Sequence, residues 1–383
     1  IVTLNTDGNS SITLNGNQLN LADGSTVSAG TTFGGNTESN ADSALTALGE
    51  VTLEGASQTL GNLGGAGLKL AIDATGNVKA AGGSIEKLEN ISGEGRFTLA
   101  LDPNQQTTAG DLTGFAGTVV AGSGQTFVLN DGSMTGTVKV DLSNGGTLTS
   151  STESTIAGLT TTSDSVIDLG EMTVGGEKAF GMLTVTGGDS TLVAGTELKV
   201  EVKTDTSSDK VLSLDDGMIT KLVTGLDATQ TDDFTVNYNG KTTGDLLSGK
   251  DVIGTAHYIF EETVVPEGNN KTTAGLKSTL TKIELTGELV LNNNTGTPAD
   301  LAAEVRGTNE SAVTVSFGEI ELVKDNSYGQ LNVNKGATAN LTGVQTITGT
   351  EGVVAGQIEA NAGKLRLASD ASLTFKNVQT GLA

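Results

Sequence analysis

A gapless internal repeat near the end of the sequence constrains its fold more than any other feature. Residues 329–346 align with residues 363–380, so that Leu331 matches Leu365 and the string Val-Gln-Thr closes both copies. Each copy opens with a glycine followed by aliphatic residues at alternate positions, which is the period of a β-strand. Repeated segments of this kind predict an array of short strands.

The same glycine-led motif returns elsewhere in the chain, and this favours a solenoid. Its copies begin at Gly181, Gly287, Gly318, Gly329, Gly356 and Gly363. Some starts lie close together, as at positions 318 and 329 and at positions 356 and 363, and such spacings fit successive sides of one turn. We therefore expect turns of roughly 17–20 residues with three short strands each. The two aligned copies would then be separated by two turns.

The composition suits thin, stacked layers. The 383 residues include 54 glycines but only 3 prolines, with no cysteine and no tryptophan, and 36 % of residues are hydrophobic. A collagen register is absent, and the alternation of the aliphatic residues argues against disorder. The lack of cysteine excludes disulfides and thiolate chemistry. The sequence thus predicts an all-β fold, a parallel β-helix (β-solenoid).

The motif lapses between residues 206 and 280. This stretch contains two of the three tyrosines and the only histidine, His257. We interpret it as an insertion or small β-rich subdomain between solenoid turns at 1–205 and 281–383; the alternative is a boundary between two solenoid blocks. Because aromatic residues concentrate here, a specific binding surface is expected in this stretch.

The strongly acidic charge restricts the possible partners. The formal net charge is −24 and the pI is about 4.2. Nucleic acid and anionic membrane surfaces are therefore disfavoured as partners. Apolar runs are only a few residues long, so no membrane-spanning helix and no direct membrane insertion are predicted. The sequence begins at Ile1 without a signal-like region, so either a signal has been removed or the sequence is an internal fragment.

The many acidic and amide side chains make calcium a candidate bound ion. Such oxygen atoms are the ligands that calcium prefers. The Gly-Gly-x-Gly-x-Asp array of calcium-binding solenoids is absent, however. Phosphate loops, zinc spacings and haem motifs are absent as well. We predict no cofactor, and the identity of any metal-binding residue stays unknown.

Catalytic residues are not predicted either. The string Gly188-Asp-Ser-Thr191 is the nearest to a serine-protease motif, but it lacks the second glycine, and His257 is the only possible base. Glycan cleavage uses paired carboxylates, whereas adjacent residues of a strand point to opposite faces. The residues considered for that chemistry are Asp215–Asp216, Asp232–Asp233, Glu261–Glu262 and the distant Arg96, Arg306 and Arg366.

One run of the sequence resembles a known family. Residues 181–202, GMLTVTGGDSTLVAGTELKVEV, and residues 204–212, TDTSSDKVL, are similar to the run GxLTV-G-…-GTxLxVE-…-SDKL of autotransporter (type V secretion) passenger domains. The strings starting at Gly146, Ile156 and Val166 look like the turns that usually precede it. In this family the run lies near the end of a passenger, whereas here the chain continues well beyond it, to Ala383.

The resemblance implies a passenger, or part of one, with a pertactin-like right-handed β-helix. It implies a non-enzymatic adhesin at the cell surface, exported across a Gram-negative outer membrane, that mediates attachment or biofilm-like self-association. Its partners would be host or bacterial receptors or glycans, or copies of itself. The alternative is a structural subunit of an S-layer or extracellular filament, held together by calcium in some cases. A polysaccharide-acting enzyme on the same scaffold is the third hypothesis.

Overall fold

The computed structural model is a stack of β-strands. It describes residues 84–89, 91–173, 178–187, 190–203, 218–240, 242–248 and 251–349, and strands within 3–81 and 358–375. All regular elements in these parts of the chain are strands. Accordingly, none of the residues described forms a helix able to cross a membrane.

The first part of the chain consists of short strands separated by turns. In chain order they are β1 Thr3–Leu4, β2 Ser11–Thr13, β3 Gln18–Leu21, β4 Ser25–Val27, β5 Thr32–Gly34, β6 Ala44–Ala47, β7 Glu50–Glu54, β8 Lys69–Ile72, β9 Asn77–Ala81, β10 Lys87–Leu88, β11 Ile91–Gly93, β12 Arg96–Ala100, β13 Gln105–Ala109, β14 Thr118–Gly122, β15 Gln125–Leu129, β16 Lys139–Asn144, β17 Thr147–Ser150, β18 Ser154–Ile156, β19 Gly158–Thr160, β20 Val166–Thr173, β21 Lys178–Val185 and β22 Glu197–Lys203.

These strands stack in parallel, one turn above the next. On one face, β1, β4, β7, β9, β12, β14, β16 and β19 form an eight-stranded sheet. Val78 pairs with Phe97, and the ladder continues through Val119 and Val140 to Leu159, with one turn of the chain between successive partners. All five side chains point inward and are at most 4 % exposed. The prediction of an all-β solenoid is confirmed.

The parallel stack is interrupted by antiparallel strands within the aromatic-rich stretch. The strands here are β23 Met218–Asp227, β24 Thr235–Gly240, β25 Thr243–Ser248, β26 Asp251–Glu267 and β27 Lys271–Leu285. The long strands β26 and β27 form a hairpin, with β25 against β26 and β23 against β27, all antiparallel. Asn269 and Asn270, both with φ of 60°, form the hairpin turn.

Parallel stacking resumes at the end of β27. The later strands are β28 Glu288–Asn292, β29 Ala299–Leu301, β30 Glu304–Gly307, β31 Ala312–Phe317, β32 Glu319–Leu322, β33 Asn326–Tyr328, β34 Gln330–Val333, β35 Thr338–Leu341, β36 Gln345–Ile347, β37 Ile358–Ala360, β38 Lys364–Leu367 and β39 Leu373–Phe375. They build three parallel sheets, one of which begins with β27.

The hairpin touches two separate hydrophobic cores. The first core comprises buried side chains from Ile72 to Leu276, and the second comprises those from Ile283 to Ile347. Strand β27 contributes Leu276 to the first core and Ile283 to the second. The hairpin therefore ends one stack and begins the next.

The aligned sequence copies do not occupy equivalent places in the second stack. Leu331 pairs with Ile358 of the next turn, whereas Leu365 pairs with Ala339 on another sheet. The separation of the copies is thus one turn plus a step to the next face, and the prediction of two turns is wrong. Turn length varies because the corners between strands differ in length. The turn that leads from Val313 to its partner Leu331 is shorter than the one that leads from Leu331 to Ile358.

Candidate functional site

A shallow cleft lies where the end of β20 meets the start of β21. Its volume is about 350 Å³ and it is open to solvent. The residues that line it are an exposed phenylalanine, an alanine, two glutamates and two threonines, namely Phe180, Ala179, Glu153, Glu171, Thr152 and Thr173. Its size lies at the lower end of the range of small-molecule sites.

The two strands that form the cleft change partners along their length. The first part of β20 stacks in parallel on β17, as at Leu148 and Ile167, whereas near its end Met172 pairs with Ala179 in an antiparallel arrangement. Met172 and Ala179 are 1 % and 3 % exposed. Since neighbouring residues of a strand point to opposite faces, Glu171 and Phe180 face outward into the cleft.

Phe180 is the most exposed large hydrophobic side chain in the described parts of the chain, at 69 %. Its neighbour Gly181 explains the position, because a Cβ there would lie 1.7 Å from the carbonyl oxygen of Ser150 and 2.3 Å from that of Leu169. The backbone of β21 therefore presses directly on two other backbone segments. Only glycine permits this approach. The close approach of the strands leaves the ring of Phe180 on the solvent side.

An ion pair holds one carboxylate of the cleft. The ammonium group of Lys203, on the adjacent strand β22, donates a hydrogen bond to Oε2 of Glu171. This hydrogen bond raises the pKa of Lys203 above its ordinary value. Both side chains are about half exposed, so their mutual attraction is screened by water. The carboxylate retains lone pairs that can accept further hydrogen bonds.

The residues considered for protease chemistry lie in separate parts of the structure. Ser190 is buried, and its Oγ accepts a 3.0 Å hydrogen bond from the amide of Leu159. Nε2 of His257, on β26, lies 3.5 Å from Oε2 of Glu284. The hydrogen bond that Lys282 donates to Oε1 of Glu284 lowers the pKa of that carboxyl first, and the nearby His257 lowers it further. No contact that the structure describes joins Ser190 to His257.

The acidic pairs are dispersed. Asp233 accepts a 2.8 Å hydrogen bond from Thr231 in the turn before β24, next to the exposed Asp232. Glu262 accepts a 3.3 Å hydrogen bond from the amide of Val236, beside the exposed Glu261 on β26. Asp215 and Asp216 lie outside the described residues, and among those described no three potential ligands of the His, Asp or Glu type cluster as a metal site would require.

The arginines are used in separate ion pairs. Arg96 contacts Asp141 across two turns of the first stack, at 2.6 Å, while Arg306 pairs with Glu304 on β30 in the second stack. Arg366 belongs to β38, where side chains are not described. The three residues are thus not brought together in the described structure.

Aromatic residues of β24 and β26 lie beside the first core. The rings of Tyr238 and Phe260 lie 5.0 Å apart, and Tyr258, Phe260 and Val264 pack against buried residues of that core. Ile259, which points away, is 48 % exposed. The binding surface expected in this stretch stays a prediction, whereas the cleft lies before it in the chain.

Sequence reasoning missed Phe180, although a signal was present. The pair Gly175-Gly176, which is typical of a tight turn, lies between Val174 and the charged residues Glu177 and Lys178. The aromatic residue stands immediately before the glycine-led motif that begins at Gly181. A turn predicted at this point would have marked the neighbouring side chains as candidates for exposure.

The family resemblance has no independent support from similarity searches. Comparison with protein-family models, with curated proteins and with solved structures gives no significant match. Residues 204–212, the last part of the run that resembles passenger domains, lie outside the described residues. The fold is thus established as a β-solenoid without assignment to a family.

Proposed function

We propose that this chain is a non-enzymatic extracellular binding protein that attaches to other surfaces or to copies of itself, as an autotransporter-like adhesin would. The observation that carries the proposal is a long parallel ladder beside a cleft with an exposed aromatic ring. The eight strands of one face alone extend on the order of 35 Å at the usual strand spacing. Such a scaffold presents binding groups at a distance from its point of attachment.

The surface chemistry supports contact with partners. Outward positions of the first stack alternate between threonine, lysine and acidic side chains, as at Thr149, Asp168 and Lys199 on successive strands. A net charge of −24 keeps such a chain soluble and repels acidic partners. The proposed location is the outer surface of a Gram-negative cell, which follows from the resemblance of residues 181–202 to passenger domains.

Attachment is tested by coupling the full chain to inert beads. The expected result is that coated beads bind bacterial or host cells, or one another, and that uncoated beads do not. Calcium chelation is expected to leave this attachment unchanged. Beads that bind nothing would contradict the proposal.

Two other outcomes would favour the alternatives. Ordered sheets or fibres of the free protein that dissolve on chelation would indicate a structural lattice subunit. Release of reducing sugar from a polysaccharide, abolished by a single carboxylate substitution, would indicate an enzyme. Negative-stain microscopy and a reducing-sugar assay therefore accompany the bead experiment.

A further inference from the structure

We propose that the cleft beside Phe180 binds a neutral saccharide, an inference that rests on the proposed function and names its ligand class. The cleft combines an apolar ring with hydrogen-bonding groups on its rim, namely the carboxylates of Glu153 and Glu171 and the hydroxyls of Thr152 and Thr173. A sugar ring has the matching chemistry, since one face carries C–H groups and the edge carries hydroxyl groups.

The exposed ring supplies the apolar half of this interaction. Leaving a phenylalanine side chain in water forgoes the free energy that burial of its apolar surface would supply. Phe180 is 69 % exposed, and it is one of only 9 phenylalanines in a chain without tryptophan. A sugar ring that covers Phe180 would recover part of that free energy.

The ion pair between Glu171 and Lys203 favours a neutral ligand over a cation. An aromatic face beside carboxylates also suits an ammonium group. The charge of Glu171 is already matched by Lys203, which donates a hydrogen bond to its Oε2. A second cation would therefore compete with Lys203, whereas a ligand hydroxyl would use the remaining lone pairs without displacing it.

Charge also excludes acidic sugars as the preferred ligand. Two carboxylates line the cleft, and the whole chain carries a net charge of −24. An anionic saccharide would meet the repulsion of this net charge, which Lys203 offsets only at Glu171. Because the cleft is shallow, a single site is expected to bind weakly, and attachment would depend on many copies of the chain acting together.

The test uses the full chain and immobilised neutral oligosaccharides built from glucose, galactose, mannose and N-acetylglucosamine. Sialylated oligosaccharides and a trimethylammonium surface serve as charged probes. We expect the chain to bind at least one neutral oligosaccharide. Phe180→Ala is expected to lower that binding at least tenfold, and Glu171→Gln to lower it less. Circular dichroism confirms that each variant is folded.

Phe317→Ala is the matched control, because Phe317 is 55 % exposed in the second stack and does not line the cleft. It is expected to bind as the unsubstituted chain does. Absence of binding to every neutral probe, or binding that Phe180→Ala leaves unchanged, would overturn the inference. Preference for the trimethylammonium surface that is lost in Phe180→Ala would replace it with a cation site.

The bead experiment separates this inference from the proposed function. If beads carrying Phe180→Ala still attach to cells and no neutral probe is bound, the chain is an adhesin that uses another surface. If neither unsubstituted beads nor free protein binds anything, the proposed function fails as well.

Discussion

The phenol of Tyr328 donates a 2.9 Å hydrogen bond to Oε1 of Gln345, which lies one turn further along the second stack. Both side chains are fully buried. Asn326 donates to the same oxygen at 3.1 Å, and Nε2 of Gln345 donates to the backbone carbonyls of Lys324 and Gly343. Hydrogen bonds between turns thus link strands inside a core that is otherwise aliphatic.

Removing the acceptor from this cluster is expected to cost more than removing one donor. Tyr328→Phe deletes a single hydrogen bond and is expected to lower the free energy of unfolding by about 1 kcal/mol. Gln345→Leu leaves the Tyr328 hydroxyl buried without its acceptor, and it removes one of the two acceptors of the Asn326 amide group. It is expected to lower the free energy of unfolding by about 2–4 kcal/mol. Urea unfolding followed by circular dichroism measures both values.

Tyr238→Phe is the control for these substitutions. Tyr238 lies beside Phe260 and is 38 % exposed, so loss of its hydroxyl is expected to change the free energy of unfolding by less than about 0.5 kcal/mol. A smaller loss in Gln345→Leu than in Tyr328→Phe would show that the buried cluster does not depend on its shared acceptor.

Asp141 is expected to make the first stack sensitive to acid. Burial raises the pKa of this carboxyl, but hydrogen bonds from Ser143 and from Arg96 lower it more, and the net pKa is below its ordinary value. A folded-state pKa below the unfolded value of about 3.9 contributes stability above that pH. The contribution is lost as pH falls through the folded-state pKa.

Asp141→Asn is therefore expected to be destabilised near pH 7, with a difference from the unsubstituted chain that shrinks as the pH falls below the unfolded-state pKa of about 4. Urea midpoints across this range provide the measurement. Asp131→Asn, in an exposed turn, is expected to show a small difference throughout. A destabilisation of Asp141→Asn that stays constant from pH 7 to pH 2 would refute the assignment to this ion pair.

The side chain of Gln230 forms hydrogen bonds with both backbone groups of Leu192. Its Oε1 accepts a 2.6 Å hydrogen bond from the amide of Leu192, and its Nε2 donates to the carbonyls of Leu192, at 3.2 Å, and Thr231, at 2.6 Å. Gln230→Leu would leave both backbone groups of Leu192 unpaired inside the protein. We expect a loss of about 2–3 kcal/mol in unfolding free energy and faster hydrogen exchange at the Leu192 amide.

Gln106→Leu provides the comparison, since Gln106 is an exposed residue of β13 in the same stack. This substitution is expected to leave stability within about 0.5 kcal/mol of the unsubstituted chain. Equal losses of unfolding free energy in the two variants, or unchanged exchange at Leu192 in Gln230→Leu, would mean that water replaces the hydrogen bonds of Gln230.

The fold was predictable from the sequence because strand alternation is local, whereas the register depends on distant contacts. Buried positions such as Leu148 and Ile167 follow from alternation with polar neighbours. The motif contains no information on which face of the solenoid a strand occupies. The sequence alignment therefore matched Leu331 with Leu365, which lie in two different sheets. The right hand of the helix stays a prediction from the family resemblance.

The candidate site was less predictable for a related reason. An aromatic residue beside aliphatic ones, such as Phe180 before Met182 and Leu183, is ordinarily assigned to a core. Its exposure depends on where β21 meets Ser150 and Leu169, which are distant in the sequence. Local patterns contain no information about such a contact, except that a glycine stands at the point of closest approach.

Gly181 is expected to be intolerant of a side chain. A Cβ at this position would overlap the backbone oxygens of Ser150 and Leu169, which belong to neighbouring strands and cannot move independently. Gly181→Ala is therefore expected to lower the free energy of unfolding by at least about 2–3 kcal/mol. Gly136→Ala is the control, because a Cβ there meets nothing within 4 Å, and its effect is expected to stay between no change and a gain of about 1 kcal/mol. Thermal and urea unfolding of both variants measure the difference, and similar stabilities would show that β21 does not press on those strands and that Phe180 is held outward by something else.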